Sequence, residues 1–131
     1  MDEYLIEGAS YERLEREYEK HQNLVVGVDF DSTIHDYHKK GHSYDLVKQL
    51  LRDLKKLNCT IICWTAYESH DYVREFFESN NLPLDGINTD GIKLPWETRK
   101  PFFNVLIDDR AGLKSVYEDL RKLADHFLTK N

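Results

Sequence analysis

No apolar run in this chain approaches the roughly 18–20 residues that a bilayer-spanning helix needs. The opening Met1-Asp2-Glu3 has neither the basic stretch nor the apolar stretch of a secretory signal. The expectation is a cytoplasmic protein with no membrane contact. Positive charge is scarce too: 18 Lys and Arg stand against 24 Asp and Glu, a formal net charge of −6. That balance disfavours a protein that grips a long polyanion across a broad basic face, so extended nucleic-acid binding is not expected. A small anionic ligand in a local pocket remains compatible with it. Only two cysteines are present, Cys59 and Cys63. In an extended segment at about 3.3 Å per residue they stand roughly 13 Å apart, too far for a disulfide. No repeat, low-complexity tract or Pro/Gly/Ser-rich linker divides the 131 residues, which points to one domain. With 40% hydrophobic and 32% charged residues, the composition is that of a globular chain and not a disordered one.

Residues 9–22 place Tyr11, Leu14 and Tyr18 at helical spacing in a charged segment, with Ser10 as candidate cap. Leu24 to Phe30 is short, β-branched and apolar without alternation, the pattern of a buried parallel strand. A helix over 44–57 puts Leu46, Val47, Leu50, Leu51, Leu54 and Leu57 on one face, with Ser43 as candidate cap. Residues 59–64 repeat the buried-strand pattern. A helix over 70–79 follows Ser69, a weak strand falls at 84–88, Asn104 to Ile107 is another strand, and an amphipathic helix closes the chain over 112–128. This alternation predicts an α/β fold, a three-layer α/β/α sandwich around a parallel Rossmann-like sheet covered on both faces. In such sheets ligands bind beyond the carboxyl ends of the strands, where strand order reverses. All three strong strands end there in polar residues: Asp29-Phe30-Asp31, Thr65, and Asp108-Asp109.

One aspartate at a strand end is commonly a turn or cap residue, but two pairs at two strand ends are harder to explain so. Like charges at close range raise one another's pKa, and desolvation adds to the cost. A hard divalent cation such as Mg²⁺, with its preference for carboxylate, water and phosphate oxygens, removes the conflict. A carboxylate can also act as a nucleophile toward phosphorus.

Asp29-Phe30-Asp31-Ser32-Thr33 resembles the DxDxT motif of the haloacid dehalogenase (HAD) superfamily of phosphotransferases, and further motifs follow in order: Thr65 after a strand, a basic residue at Lys100, and the pair Asp108-Asp109. Cys63-Trp64-Thr65-Ala66 and the run from Arg99-Lys100 to Asp108-Asp109-Arg110 look especially like its small cap-less members. The resemblance covers roughly residues 24–128. It implies a HAD-like hydrolase domain over 23–131 behind an N-terminal helical extension over 1–22. It also implies Asp29 as nucleophile and Asp31 as general acid/base. Mg²⁺ would sit on Asp29, the Asp31 carbonyl and Asp108, with Asp109 as a further ligand or as a residue orienting the others. Thr65 and the backbone N–H groups of Ala66 and Phe30 would bind the phosphoryl oxygens, and Lys100, with Lys93 as its rival, would neutralise them. The family commonly carries Gly where this chain has Ser32. If that position needs a positive φ, Ser costs about 1 kcal/mol or more.

About ten residues separate Thr33 from the helix near Tyr44, and 33 lie between Ala66 and Lys100. Neither stretch holds a folded cap, so no separate cap domain is expected and the site is open. Open sites suit a bulky substrate or completion by a second copy of the chain, a homo-oligomer. Ile34 to His42 reads either as a plain solvent-exposed loop or as a flap over the site with His35, His38, Lys39 and Lys40 as substrate contacts; no cysteine or closed ligand set supports zinc there. Arg74, Trp64, Trp96 and Arg110 are candidates for the rim, with packing the better reading for Trp64 and a core anchor an equal one for Trp96. The expected function is Mg²⁺-dependent phosphomonoester hydrolysis through an aspartyl-phosphate on Asp29. The expected substrate is a small phosphorylated metabolite such as a nucleotide or sugar phosphate. A phosphatase for a nucleic-acid 3′-phosphate and a non-catalytic phosphate-binding module are the alternatives.

Overall fold

The computed structural model describes residues 2–130. After a short 3₁₀ turn at Glu3–Leu5, helix α1 spans Ala9–His21, strand β1 Val25–Val28, α2 Asp45–Lys56, β2 Thr60–Cys63 and α3 His70–Ser79. The two-residue β3 at Gly86–Ile87, β4 at Val105–Ile107 and α4 at Leu113–Thr129 complete the chain. The fold is α/β with one all-parallel, Rossmann-like sheet in the order β3-β2-β1-β4. From β1 the chain moves outward through β2 to β3, then returns to the other side of β1 for β4. The reversal of strand order therefore falls between β1 and β4.

Alternate residues of each strand face opposite ways. Leu24, Val26, Val28, Ile61, Cys63, Val105 and Ile107 join the buried residues of all four helices in one hydrophobic core. Tyr11, Leu14 and Tyr18 of α1 lie within it, so this helix shares the core of the sheet. The opposite sheet face meets the 88–104 segment. There a Cβ on Gly27 would come within 2.8 Å of the Phe103 ring, and one on Gly91 within 2.7 Å of Val25. Asn104 ties this region to β1, its Oδ1 accepting the Val25 N–H at 2.6 Å while its Nδ2 donates to Glu17 at 2.8 Å. Cys59 and Cys63 are buried free thiols.

The helix starts depart from the sequence reading in two places. Gly8 and Tyr44, both in the left-handed region at φ 84° and 57°, cap α1 and α2. Ser10 lies inside the first turn of α1 and donates to Asp119 of α4 at 2.6 Å, a tertiary tie in place of a cap. Ser43 makes no cap bond, because the left-handed Tyr44 stands between it and the helix. Leu46 is 69% exposed, on the solvent side of the face that buries Val47, Leu50, Leu51 and Leu54. Ser69 does cap α3, accepting the Tyr72 N–H at 3.2 Å. Between α2 and α4, Asp53 pairs with Arg121 at 2.8 Å. Desolvation pulls the Asp53 carboxyl up, but hydrogen bonds from Arg121 and Gln49 and the Arg121 charge outweigh it and hold it low.

Candidate active site

Beyond Val28 the chain stays beside β4 for one more residue, the Asp29 N–H donating to Ile107 O at 2.8 Å, and then turns sharply. The Phe30 carbonyl accepts the N–H groups of Ile34 at 3.1 Å and His35 at 3.0 Å, while Ser32 donates its N–H to His35 O at 2.9 Å. Ser32 sits at φ 63°, in the left-handed region that favours glycine, and serine carries the strain.

Thr33, completely buried, ties this loop to the end of β4. Its Oγ1 accepts the Asp109 N–H at 3.0 Å and lies 3.1 Å from Asp29 Oδ2 and 3.3 Å from Asp109 Oδ1. One hydroxyl proton serves one of these carboxylates at a time. Carboxylate oxygens of Asp29, Asp108 and Asp109 all lie within 4.8 Å of one another. None of the three pairs with a Lys or Arg among the described residues. Burial, a hydrogen bond with Asp109 and the Asp108 charge push the Asp29 carboxyl up to about 7 against the Thr33 hydroxyl, which favours its ionised form. Three oxygen donors without thiolate or imidazole, sharing uncompensated charge, fit a hard cation such as Mg²⁺.

Across the cavity from this cluster, Thr65 stands two residues past the end of β2. Asn88, just past β3, clasps its backbone: Asn88 Oδ1 accepts the Thr65 N–H at 2.8 Å and Asn88 Nδ2 donates to Thr65 O at 2.7 Å. Thr65 Oγ1 accepts the Tyr67 N–H at 3.0 Å, which leaves its own proton free to donate. A cavity of about 430 Å³ joins Asp29, Asp31, Thr65, Ala66, Asp108 and Asp109, with Ser32, Tyr37, His38 and Arg110 completing its wall. A larger, shallower hollow of about 650 Å³ lies along 89–98 and shares no lining residue with it.

Several expected residues stand elsewhere. Lys100 is exposed and outside the lining of the carboxylate cavity, and Lys93 lines the 89–98 hollow instead, so Arg110 is the cationic side chain at the site. Arg99 and Pro101, the neighbours of Lys100, line a small separate hollow with Trp64 and Asn88. Phe30 contributes backbone alone, its side chain being fully buried. His35 is not a flap residue. The loop hydrogen bonds fold it back, its side chain only 15% exposed, against Asp31. His38 does line the cavity, whereas Lys39 and Lys40 are exposed and absent from its wall. The flap itself is shaped by Asp36, which accepts the N–H groups of Lys40 at 3.1 Å and Gly41 at 2.7 Å. Its carboxyl is held low: desolvation would raise it, and those backbone donors outweigh that. Trp64 packs edge-on against Phe103, and Trp96 is 64% exposed, so it anchors no core. Arg74 is exposed and pairs with Asp71 at 3.3 Å, away from the rim. Sequence reasoning passed over Asn88, Tyr37 and the bonding role of Thr33. Only Thr33 had a signal, its place in the first motif.

This arrangement, carboxylates from two neighbouring strands meeting at the switch point of a parallel sheet, defines an α/β protein with its candidate site in the usual ligand position for that class. No protein-family model matches the chain, and no curated protein matches it. It is similar to one solved structure, that of a conserved protein coded by a locus from Bacteroides thetaiotaomicron. The TM-score is 0.61 at 24% identity, covering 77% of this chain and 92% of that one. The likeness extends to the fold. Among the described residues no helix is long and apolar enough to cross a membrane.

Proposed function

We propose that this chain is a Mg²⁺-dependent phosphomonoester hydrolase of the HAD type, working through an aspartyl-phosphate on Asp29. Small phosphorylated metabolites such as nucleotide or sugar phosphates are the proposed substrates. The observation that carries the reading is the gathering of the Asp29, Asp108 and Asp109 carboxylates within 4.8 Å, in a cavity that also holds Asp31, Thr65 and Ala66. Mg²⁺ would be held by those three carboxylates with the Asp31 carbonyl, and when bound it offsets the charge of the cluster and of an incoming phosphoryl group.

The protein groups supply the rest. An Asp29 carboxylate oxygen attacks phosphorus. The bond from phosphorus to the ester oxygen breaks, and the departing oxygen takes its electron pair and a proton from Asp31. Water then attacks the phosphorus of the aspartyl-phosphate and gives its proton to Asp31, the bond to Asp29 breaks, and orthophosphate leaves. Thr65 donates its hydroxyl to a phosphoryl oxygen, with the Ala66 and Phe30 N–H groups as further donors. Arg110 supplies the positive charge at the cavity wall. A 430 Å³ open cavity admits a nucleotide- or sugar-sized ester, and the net charge of −6 favours a small substrate over a long polyanion.

A panel of phosphomonoesters, with a 3′-phosphorylated oligonucleotide among them, assayed in Mg²⁺ and in EDTA tests the proposal. Hydrolysis of at least one small ester in Mg²⁺, lost in EDTA, is expected. No hydrolysis of any member would refute it.

A further inference from the structure

The general acid proposed above does not stand alone. Asp31 Oδ1 lies 2.8 Å from His35 Nδ1, and His35 Nε2 lies 3.0 Å from the Tyr72 hydroxyl of α3. A carboxylate accepts and cannot donate, so Nδ1 carries the hydrogen; in the neutral ring Nε2 then accepts from Tyr72 O–H. The imidazole has little freedom to leave this geometry. It stacks on the fully buried Phe30 at 4.5 Å and 12°, and Phe76, Tyr72 and Tyr67 close on it edge-first at 5.3, 5.5 and 5.9 Å. The turn that returns His35 over Asp31 is itself fixed by the three backbone bonds of the 30–35 loop described above.

We infer that His35 is a positioning residue for Asp31: clamped by Phe30 and Tyr72, it fixes Asp31 Oδ1 and leaves Oδ2 as the oxygen that delivers the proton to the departing group. Oδ2 has no hydrogen-bond partner among the described residues, and Asp31 lines the cavity. The inference rests on the phosphatase reading and adds to it a residue that the flap assignment had misplaced. A carboxyl group free to rotate would present either oxygen, in varying directions, to the substrate. Holding one oxygen sets the direction of the other, and proton transfer depends steeply on that direction.

The consequence is selective for the leaving group. An alkyl ester such as glycerol phosphate needs a proton delivered to its departing oxygen, whereas p-nitrophenolate departs without one. kcat/KM covers only the steps through phosphoryl transfer to Asp29, so it isolates the acid role from the later base role. His35→Phe keeps a ring on Phe30 and removes the bond to Asp31; His35→Asn keeps an N–H donor near the Nδ1 position and gives up the stacking. With His35→Phe, kcat/KM for glycerol phosphate is expected to fall by about tenfold or more, within the range of general-acid effects, and that for p-nitrophenyl phosphate by less than about threefold. His35→Asn should recover much of the loss on glycerol phosphate, even with a lower Tm, and Tyr72→Phe should show a smaller loss of the same selective kind. Equal losses on both esters, no loss on either, or a failure of His35→Asn to recover more than His35→Phe would overturn the inference while leaving the phosphatase reading in place. Absence of wild-type turnover on both esters, by contrast, would remove both together.

Discussion

Asp29→Asn should stabilise the metal-free protein, a result opposite to that of most substitutions at buried polar sites. The wild-type carboxyl is pushed from its ordinary 3.8 up to about 7 by burial and by Asp109 and Asp108. Its folded-state value is raised, so the ionised form is penalised in the folded protein. The penalty is absent below pH 4, grows between about pH 4 and 7, and is complete above pH 7. A shift of that size corresponds to a ceiling of about 4 kcal/mol at about 1.4 kcal/mol per unit. Asp29 is only partly buried, and solvent screening brings a working figure down to about 1–2 kcal/mol. Asparagine removes the charge and keeps the shape: its oxygen can accept from Thr33 and its amide can donate to Asp109. At pH 8 in EDTA, thermal unfolding should therefore give a Tm about 3–8 °C higher than wild type, with the difference vanishing at pH 4. Millimolar Mg²⁺ should raise the wild-type Tm by mass action and the variant's much less. A variant no more stable than wild type at pH 8, or equally stabilised at pH 4 and 8, would refute the argument that Asp29 bears uncompensated charge from its neighbours.

Asp108→Asn should shift the Mg²⁺ dependence of turnover to concentrations about tenfold or more higher, and an unchanged titration would move the primary metal contact to Asp109. Asn88→Ala removes both clasps on the Thr65 backbone; at about 1 kcal/mol for two part-exposed hydrogen bonds, Tm should fall by about 3–5 °C, and KM for a phosphoester should rise as Thr65 loses its fixed position. Asp53→Asn should cost about 1–2 kcal/mol at pH 7 in denaturant unfolding, because the Arg121 bridge holds the Asp53 carboxyl below its ordinary value. A depressed carboxyl contributes stability above its unfolded-state pKa and loses it as pH falls through its folded-state one, so the wild-type and variant curves should converge at low pH.

The strand ends carried most of what the sequence could reveal. LVVGVDF and NVLI are short, β-branched and apolar without alternation, the pattern of a buried parallel strand, and each leads into an aspartate pair. That was enough to anticipate the parallel sheet and to bring Asp29, Asp108 and Asp109 to one place. The glycine-like demand at Ser32 was legible as well, since a motif position fixes a backbone conformation. His35 was not. Read along the chain it belongs to the flap, and only the 30–35 turn, closed by backbone bonds that any residues could make, folds it back onto Asp31. Asn88 escaped notice because its partner is a backbone 23 residues away. Spacing to Asp108 could not show which wall the lysines line: Lys93 belongs to the 89–98 hollow and Lys100 to neither cavity, in a segment whose Gly91 and Phe103 pack against Val25 and Gly27. Ser10 and Ser43 had the composition of caps, yet left-handed Gly8 and Tyr44 start those helices.

The central claim is covalent chemistry at Asp29. It is tested most directly by mixing Asp31→Asn, in which water attack on the phosphoenzyme is slowed, with p-nitrophenyl phosphate, whose leaving group needs no proton, and Mg²⁺, quenching in acid within seconds, and mapping peptides by mass spectrometry. The account predicts one added phosphoryl group on the peptide from the end of β1, located at Asp29 and absent from an Asp29→Asn, Asp31→Asn double variant. Turnover by the wild-type protein with no adduct at Asp29 at any quench time, or an adduct that persists in the double variant, would contradict it.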